Sequence, residues 1–163
     1  MILVGIGSNL NSKKDQPPEY NCIEAIHQLT LHAIYPFKTS SFYETSPIPQ
    51  KKLQPWYVNS VVAVKTKLNP FYLLEALLTI ELKMGRNRTT ANAPRVIDLD
   101  LLAYDDKVIG EKELVLPHPR LHKRAFVLKP LEQIAPNWVH PVTGKSIKQL
   151  SKNLDPDQIV RPI

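Results

Sequence analysis

The stretch YVNSVVAVKTKLNPFYLLEALLTIELKMG, residues 57–85, decides the fold because it joins a strand pattern to a helix pattern. Apolar and polar side chains alternate over residues 57–67, and this period of two predicts a half-buried β-strand. Asn69 and Pro70 then predict a helix start, since asparagine caps a helix and proline fits its first position. We expect the helix to end near Gly85. Its buried face is predicted at Phe71, Leu74, Leu77, Leu78 and Leu82.

Similar patterns occur before and after this stretch. The predicted strands are residues 2–6, 32–43 and 96–104, the predicted helices are residues 18–31 and 124–134, and a hairpin is predicted at residues 107–116. We expect the hairpin to turn around Gly110 and Pro130 to interrupt the last helix. This order predicts an α+β fold of the ferredoxin-like, split βαβ type, with an antiparallel sheet and two helices on one face. C-terminal helices on the other face would make three layers, α/β/α.

Length and composition predict a single domain, residues 1–163, in the cytoplasm. With 163 residues, 43% of them hydrophobic and 22% charged, the chain can bury a sizeable core. Its apolar runs are shorter than the roughly 20 residues that span a membrane, so no membrane partner is predicted. The single cysteine, Cys22, is typical of a reducing compartment. The net charge of +6 favours anionic partners, and we expect a monomer.

The segment Arg95-Val96-Ile97-Asp98-Leu99-Asp100-Leu101-Leu102 carries the strongest signal for chemistry. On a strand, Asp98 and Asp100 point to one face and the apolar residues beside them point to the other. The two carboxylates are then roughly 7 Å apart along the strand, within reach of one pair of metal ions. Hard oxygen ligands suit Mg²⁺, which also takes phosphate oxygens and water. An ordinary exposed strand face is the alternative, although aspartate is a poor strand former.

Basic residues flank this strand. Arg86 and Arg88 follow the predicted helix, and Arg95 directly precedes the aspartate segment. A planar guanidinium can hold phosphate oxygens through two hydrogen bonds, and a polyphosphate in transfer needs such contacts for its spread-out charge. A basic cluster that interacts with the helix macrodipole explains Arg86 and Arg88 equally well. His118 stands between two prolines and could bind a phosphate, but an ordinary loop histidine is the simpler explanation.

Tyr57 and Asn59 could hold a flat heterocycle. The asparagine amide offers a donor and an acceptor side by side, which matches the edge of such a ring, and an aromatic side chain stacks on its face. Phe126 could provide a second wall, and core packing is the alternative for both aromatic residues. The sequence has neither a GxxxxGK[ST] phosphate loop nor a GxGxxG before a helix. Any phosphoryl-type transfer would therefore depend on positioning and charge.

Taken together, these segments resemble the 6-hydroxymethyl-7,8-dihydropterin pyrophosphokinase family of folate biosynthesis. The resemblance covers nearly the whole chain, from Gly7-Ser8-Asn9-Leu10 to Pro130-Leu131. Its most specific elements are R-x-I-D-L-D at residues 95–100 and L-P-H-P-R at residues 116–120. The other matching segments are residues 41–47, 57–59, 80–81, 85–88 and 124–126.

The resemblance implies an enzyme that uses ATP as co-substrate with two Mg²⁺ ions. It would transfer diphosphate from ATP to the hydroxymethyl oxygen of the pterin, giving AMP and the pterin diphosphate. The implied catalytic residues are Arg86, Arg95, Asp98 and Asp100, with both aspartates as metal ligands and either one as an option for accepting the hydroxyl proton. The implied ATP contacts are Glu81, Arg88, His118 and Arg124, although a structural salt bridge explains Glu81 as well. The implied pterin contacts are Gly7, Thr45, Ile48, Tyr57, Asn59 and Phe126.

Two positions depart from the family pattern. Between Arg88 and Arg95 many members have a further basic residue and an aromatic one, which this chain lacks, and Leu78 stands where glutamine is common. Loops at residues 46–55 and 87–94 are expected to close over the substrates and exclude water. A ferredoxin-like RNA-binding module and an inactive protein that kept the fold are the alternatives. No nucleic acid partner is predicted, because the K/R-G-F/Y-type run of such RNA-binding modules is absent.

Overall fold

The computed structural model describes residues 1–12, 15–48, 53–86 and 94–163. Its strands are β1 (Ile2–Ser8), β2 (Tyr35–Thr39), β3 (Tyr43–Thr45), β4 (Tyr57–Lys65), β5 (Asp98–Tyr104), β6 (Ile109–Gly110), β7 (Val115–Leu116) and β8 (Val160–Pro162). Its helices are α1 (Pro18–Leu31), α2 (Pro70–Lys83), α3 (Ala125–Ile134) and α4 (Ile147–Ser151), with a 3₁₀ turn at Leu121–Lys123. In this part of the chain no helix is long and apolar enough to cross a membrane.

The main sheet is antiparallel and has the strand order β5-β1-β4-β3-β8, with β2 also paired to β4. β1 and β4 are therefore its central strands. Helices α1 and α2 cover one face, where their side chains pack against Val4, Ile6 and Val62. Helices α3 and α4 cover part of the other face, against Leu3 and Ala63. The predicted ferredoxin-like antiparallel sheet and its three α/β/α layers are confirmed.

The predicted ends of α2 are also confirmed. The side chain of Asn69 accepts a hydrogen bond from the Tyr72 amide at 3.0 Å, and Pro70 occupies the first helical position. After the helix, Gly85 has φ +91°, a conformation that an L-residue rarely adopts. The Arg86 amide then donates to the Glu81 carbonyl at 3.0 Å, a backbone bond typical of a glycine-terminated helix. This termination places Arg86 directly beyond the helix end.

The predicted buried face of α2 was wrong at two of its five positions. Phe71 is 44% exposed and Leu82 is 67% exposed, whereas the fully buried apolar side chains are Leu73, Leu77 and Ile80. Because leucines surround much of this helix, more than one row at spacings of three and four residues is apolar. Contact with the sheet selects the row that is buried, and the local sequence does not.

Three predicted boundaries differ from the structure. The strand predicted at residues 32–43 is shorter in the structure: β2 covers Tyr35–Thr39, and β3 (Tyr43–Thr45) begins only where the predicted strand ends. The break follows at Ser40, whose hydroxyl accepts a hydrogen bond from the Val61 amide at 3.0 Å in place of a backbone carbonyl. Gly110 lies in β6, and the hairpin turns at residues 111–114, where the Glu111 amide donates to the Leu114 carbonyl. Helix α3 continues through Pro130 instead of being interrupted there. Proline has no amide hydrogen for the helical hydrogen bond, but its ring is buried.

Candidate active site

A cavity of about 410 Å³ opens on the sheet face that α3 covers only in part. Its floor is formed by the central strands β1 and β4 and by the edge strand β5. Its rim is formed by residues after β3, by the start of α3 and by the C-terminal segment. The cavity therefore receives side chains from elements that are distant in sequence.

Strand register determines which side chains face each other across this floor. Gly7 is paired with Asp98 of β5 on one side and with Asn59 of β4 on the other. Gly5 is likewise paired with Asp100. Since neighbouring strands are about 4.8 Å apart, the backbones carrying Asp98 and Asn59 are separated by roughly 10 Å across a glycine. The absence of side chains on the two glycines leaves a groove between a carboxylate wall and an amide wall.

The amide wall has a fixed orientation. Asn59 is 6% exposed, and its Nδ2 donates to the Thr45 hydroxyl at 2.5 Å. Its Oδ1 lies over Gly7, because an ideal Cβ on that glycine would be 2.7 Å from this oxygen. With Nδ2 already bonded to Thr45, the remaining donor and acceptor capacity of the amide can serve a ligand edge.

Aromatic side chains complete this half of the cavity. Tyr57 projects from β4 and Phe126 from the first turn of α3, and both line the cavity. The Arg124 guanidinium is 5.2 Å from the centre of the Phe126 ring. The structure brings all six predicted pterin residues to this one cavity: Gly7, Thr45, Ile48, Tyr57, Asn59 and Phe126. Their ligand contacts stay predictions.

The carboxylate wall is paired with arginines. Asp98 Oδ1 accepts from Arg86 Nη1 at 2.6 Å, and its Oδ2 accepts from Arg95 Nη1 at 3.1 Å. Asp100 Oδ2 accepts from Arg124 Nη1 at 3.3 Å. Burial and the nearby Asp98 charge raise the pKa of Asp100 to about 6. The predicted alternation is confirmed, because both aspartates line the cavity while the intervening Leu99 is buried on the opposite face.

Glu81 holds the carboxylate wall in place through hydrogen bonds to Arg86 and to the backbone of β5. Its side chain is 1% exposed, and Oε1 accepts from Arg86 Nη1 at 2.7 Å and from the Leu99 amide at 2.7 Å. The same Arg86 nitrogen also donates to Asp98, so Glu81 connects α2 to the strand that carries both aspartates. Neither Glu81 nor Arg86 is among the described residues that line the cavity. The ATP contact of Glu81 stays a prediction, and its visible role is structural.

His118 has one defined tautomer. Its Nδ1 accepts from the Arg120 amide at 3.1 Å, so the proton of the neutral ring is on Nε2. Burial, followed by the charges of Arg124 and Arg120, lowers the pKa of His118 to about 4, and the ring is neutral at pH 7. Nε2 is 4.0 Å from Asp100 Oδ2. His118 therefore presents a neutral N–H donor beside the carboxylate wall.

Cations surround the opening of the cavity. Among the described residues that line it, the basic ones are Arg95, Arg120, Lys123 and Arg124. Arg120 and Lys123 were not assigned to the site from the sequence, although the run of basic residues there was the available signal. This arrangement suits a polyphosphate, whose negative charge is spread over several oxygens. Arg88, a predicted ATP contact, lies outside the described residues.

Three further residues at the site were missed by sequence reasoning. Asn9 is 2% exposed, and its side chain accepts from the Arg95 amide at 2.8 Å and donates to the Pro55 carbonyl at 3.0 Å. It thereby joins the segments that precede β5 and β4. Its place in the turn-forming Gly7-Ser8-Asn9 group was a weak signal. Asp155 and Gln158 also line the cavity, and their local sequence gives no such signal.

The two oxygen ligands of the carboxylate wall, Asp98 and Asp100, suit a hard cation that brings further ligands of its own. Asp98 and Asp100 present partly exposed carboxylates, with 23% and 32% of their side chains accessible. Among the described residues there is no group of three or more acidic, histidine or cysteine side chains placed to hold a metal. Because Mg²⁺ keeps water and takes phosphate oxygens as ligands, two carboxylates could hold it together with a polyphosphate.

Comparison with known proteins identifies relatives over most of the chain. The family model for 7,8-dihydro-6-hydroxymethylpterin-pyrophosphokinase matches residues 3–136. The 2-amino-4-hydroxy-6-hydroxymethyldihydropteridine pyrophosphokinase of Synechocystis sp. is 40% identical over 154 residues, which are 94% of this chain and 75% of that protein. The Methylorubrum extorquens protein of the same name is 38% identical over 158 residues, 97% of this chain and 96% of that protein.

Other relatives are much longer than this chain. The folic acid synthesis protein fol1 of Pneumocystis carinii is 38% identical over 162 residues, which are 99% of this chain and 21% of that protein. A crystal structure of Plasmodium falciparum HPPK-DHPS superimposes with a TM-score of 0.71 at 17% identity, over 93% of this chain and 43% of that one. This chain therefore spans about a fifth of the first protein and under half of the second, and the structural likeness shows the shared fold.

Proposed function

The chain belongs to the 7,8-dihydro-6-hydroxymethylpterin-pyrophosphokinase family, and on this premise we propose that it transfers the diphosphate of ATP to 6-hydroxymethyl-7,8-dihydropterin. The products are AMP and the pterin diphosphate, an intermediate of folate biosynthesis. One observation carries the proposal to this chain: a single cavity joins a groove for a flat heterocycle to an opening surrounded by cations. The two substrates of such a transfer would meet between these regions.

The groove binds the pterin in this proposal. The Asn59 amide, held by Thr45, faces the hydrogen-bonding edge of the ring, and Tyr57 and Phe126 contact its faces. Gly7 leaves the space that the Asn59 amide occupies, so this amide can lie against β1 and present its free groups to the ring. The hydroxymethyl group then extends towards the carboxylate wall, because Asp98 lies on the other side of Gly7 from Asn59.

The cations bind the polyphosphate and stabilise its transfer. The hydroxymethyl oxygen attacks the β-phosphorus while Asp98 or Asp100 accepts its proton. The bond from that phosphorus to the α-phosphate oxygen breaks, and AMP leaves with the electron pair. Arg95 and Arg124 lie where they can neutralise charge on the transferred group, and the neutral His118 offers an N–H donor. The catalytic role of Arg86 is indirect in the described conformation, since it orients Asp98. Positioning and charge supply the catalysis, without a covalent enzyme intermediate.

Asp98 and Asp100 are the residues that would hold Mg²⁺. When bound, magnesium would neutralise phosphate charge beside these carboxylates. Without the metal, Asp98 pairs with Arg95 and Asp100 pairs with Arg124, so these arginines hold the two carboxylates in the cavity.

A coupled assay for AMP tests the function. The protein is supplied with ATP and saturating Mg²⁺, with and without 6-hydroxymethyl-7,8-dihydropterin. AMP that forms only when the pterin is present supports the transfer. ADP in place of AMP, or no AMP, would contradict it.

An RNA-binding module fits this structure poorly. Ferredoxin-like RNA-binding domains use an open sheet face with aromatic residues for base stacking. Here α1 and α2 cover one face, α3 and α4 cover part of the other, and the uncovered part of that face forms the cavity. We also infer one domain over residues 1–163, because the buried side chains on both faces belong to one main sheet. The cytoplasmic location and the monomeric state stay predictions.

A further inference from the structure

The C-terminal segment, residues 155–162, contributes to the cavity although it lies beyond the residues that match the family model. That match ends at residue 136, whereas Asp155 and Gln158 line the cavity. Residues 160–162 form β8, which extends the main sheet beside β3. The segment therefore contacts the site from outside the residues that the family model matches.

Gln158 determines the geometry at the start of α3. Arg124 occupies the N-cap position, but its side chain makes no capping hydrogen bond. The Gln158 side chain takes over this role, since its Oε1 accepts from the Ala125 amide at 2.9 Å. Its Nε2 donates to the Lys123 carbonyl at 2.9 Å. One side chain thus holds the backbone on both sides of Arg124.

These contacts bear directly on ligand-facing residues. Arg124 pairs with Asp100, and its guanidinium is 5.2 Å from the centre of the Phe126 ring. Both Arg124 and Phe126 lie within two residues of the backbone groups that Gln158 holds. Loss of these hydrogen bonds would let the start of α3 move and displace both side chains together.

Ile159 and Arg161, which follow Gln158, contact the two ends of the segment between β3 and β4. At its start, the Ile159 amide donates to the Ser46 hydroxyl at 3.2 Å, and the Ser46 amide donates to the Ile159 carbonyl at 3.1 Å. At its end, the Arg161 guanidinium is 4.5 Å from the centre of the Trp56 ring. Tyr57, a predicted pterin contact, directly follows this tryptophan.

We propose that Gln158 is a positioning residue of the transfer reaction, which fixes Arg124 and Phe126, while Ile159 holds Ser46 and Arg161 holds Trp56, the residue before Tyr57. The C-terminal segment thereby sets the spacing between the polyphosphate half and the heterocycle half of the cavity. This inference rests on the proposed function for its kinetic consequence. Its structural part, the fixed start of α3, stands independently of the reaction.

The test compares Gln158→Leu with Gln149→Leu. Gln149 is a matched control, because its side chain also accepts a backbone amide at a helix start: Oε1 bonds to the Ser146 amide at 2.9 Å, on a helix that contributes no residue to the cavity. We expect kcat/KM of Gln158→Leu to fall by roughly 10- to 100-fold, since small displacements of positioning groups have effects of this size. The Gln149→Leu value is expected to stay within about twofold of wild type at a comparable loss of Tm.

Gln158→Glu provides the conservative variant. A carboxylate keeps the acceptor for the Ala125 amide and interacts favourably with the helix N-terminus, but it loses the donor to the Lys123 carbonyl. We therefore expect kcat/KM between those of wild type and Gln158→Leu. Equal kcat/KM in the Leu variants at positions 158 and 149 would overturn the positioning role.

Hydrogen exchange separates this inference from the proposed function. The Ala125 amide should exchange faster in Gln158→Leu than in wild type. In Gln149→Leu its exchange rate should equal that of wild type. This readout needs no turnover, so it judges the structural part even if wild type forms no AMP with the pterin. An unchanged Ala125 exchange rate in Gln158→Leu would overturn the inference, whereas absence of AMP from wild type would overturn only the proposed reaction.

Discussion

Gly7→Ala tests the groove between the amide and carboxylate walls. An ideal Cβ at position 7 would lie 2.7 Å from Asn59 Oδ1 and 3.8 Å from Tyr57 Cδ1. Contacts of carbon with oxygen below 3.0 Å are essentially never seen for real Cβ atoms, so one of the neighbours must move. Asn59 cannot move freely, because it is buried and bonded to Thr45. The added methyl group therefore displaces the amide from its position.

The expected effect is selective for the pterin. Misorienting the amide loses one or two hydrogen bonds to the ring, worth about 1–3 kcal/mol. This loss corresponds to a roughly 5- to 150-fold increase in the pterin Kd. The strain of an overpacked site is expected to lower the free energy of unfolding by about 1–3 kcal/mol. ATP affinity should change by less than about twofold, since the nearest neighbours of the added methyl group are Asn59 and Tyr57 and none is a basic side chain.

The assay measures pterin binding by calorimetry in the presence of a saturating, non-hydrolysable ATP analogue. Gly110 serves as the control, because an added Cβ there has no atom within 4 Å and this glycine is not among the described residues that line the cavity. The Gly110→Ala protein should bind pterin within about twofold of wild type. A Gly7→Ala protein with wild-type pterin affinity would refute the placement of the ring against Asn59.

The remaining predictions concern the two walls. Asp98→Ala should reduce transfer at least about 100-fold while the protein still unfolds cooperatively, and wild-type turnover would exclude the assigned metal site. Asn59→Ala should raise the pterin Kd much more than the ATP Kd, and equal losses would refute its assignment. Glu81→Ala should lower the free energy of unfolding in urea by about 3–5 kcal/mol, because it leaves the Leu99 amide and part of the buried Arg86 charge unpaired, and Glu81→Gln should lower it less. Asp100→Asn should stabilise the metal-free protein at neutral pH: the raised pKa of about 6 means that wild type is most stable when this carboxyl is protonated and loses stability as pH rises from about 4 through 6. The gain should approach about 1 kcal/mol above pH 6 because solvent screens this partly exposed group, and a chelator-treated variant no more stable than wild type at pH 7 would contradict it.

Local patterns predicted several elements correctly because their causes are local. Asn69, Pro70 and Gly85 set the ends of α2 through caps that need no distant partner. The C-terminal region shows the limit of this approach. Helix α4, which sequence reasoning did not place, has a local cause in the capping box of Ser146 and Gln149. Strand β8 has no such local cause, since it has three residues, one of them proline. Strand β8 forms because it pairs with the edge of β3. Its own sequence gives no information about this partner.

The sequence by itself determined the two-residue alternation that puts Asp98 and Asp100 on one face, and the motifs that place the chain in its family. Only the tertiary structure decided which strands are neighbours, and hence that Gly7 separates Asp98 from Asn59. The tertiary structure also decided that Glu81 accepts hydrogen bonds from Arg86 and from the Leu99 amide, and that Gln158 accepts one from the Ala125 amide at the start of α3. The physical reason is that side-chain alternation and helix caps act over a few residues, whereas register and buried hydrogen bonds join groups that are far apart in the chain.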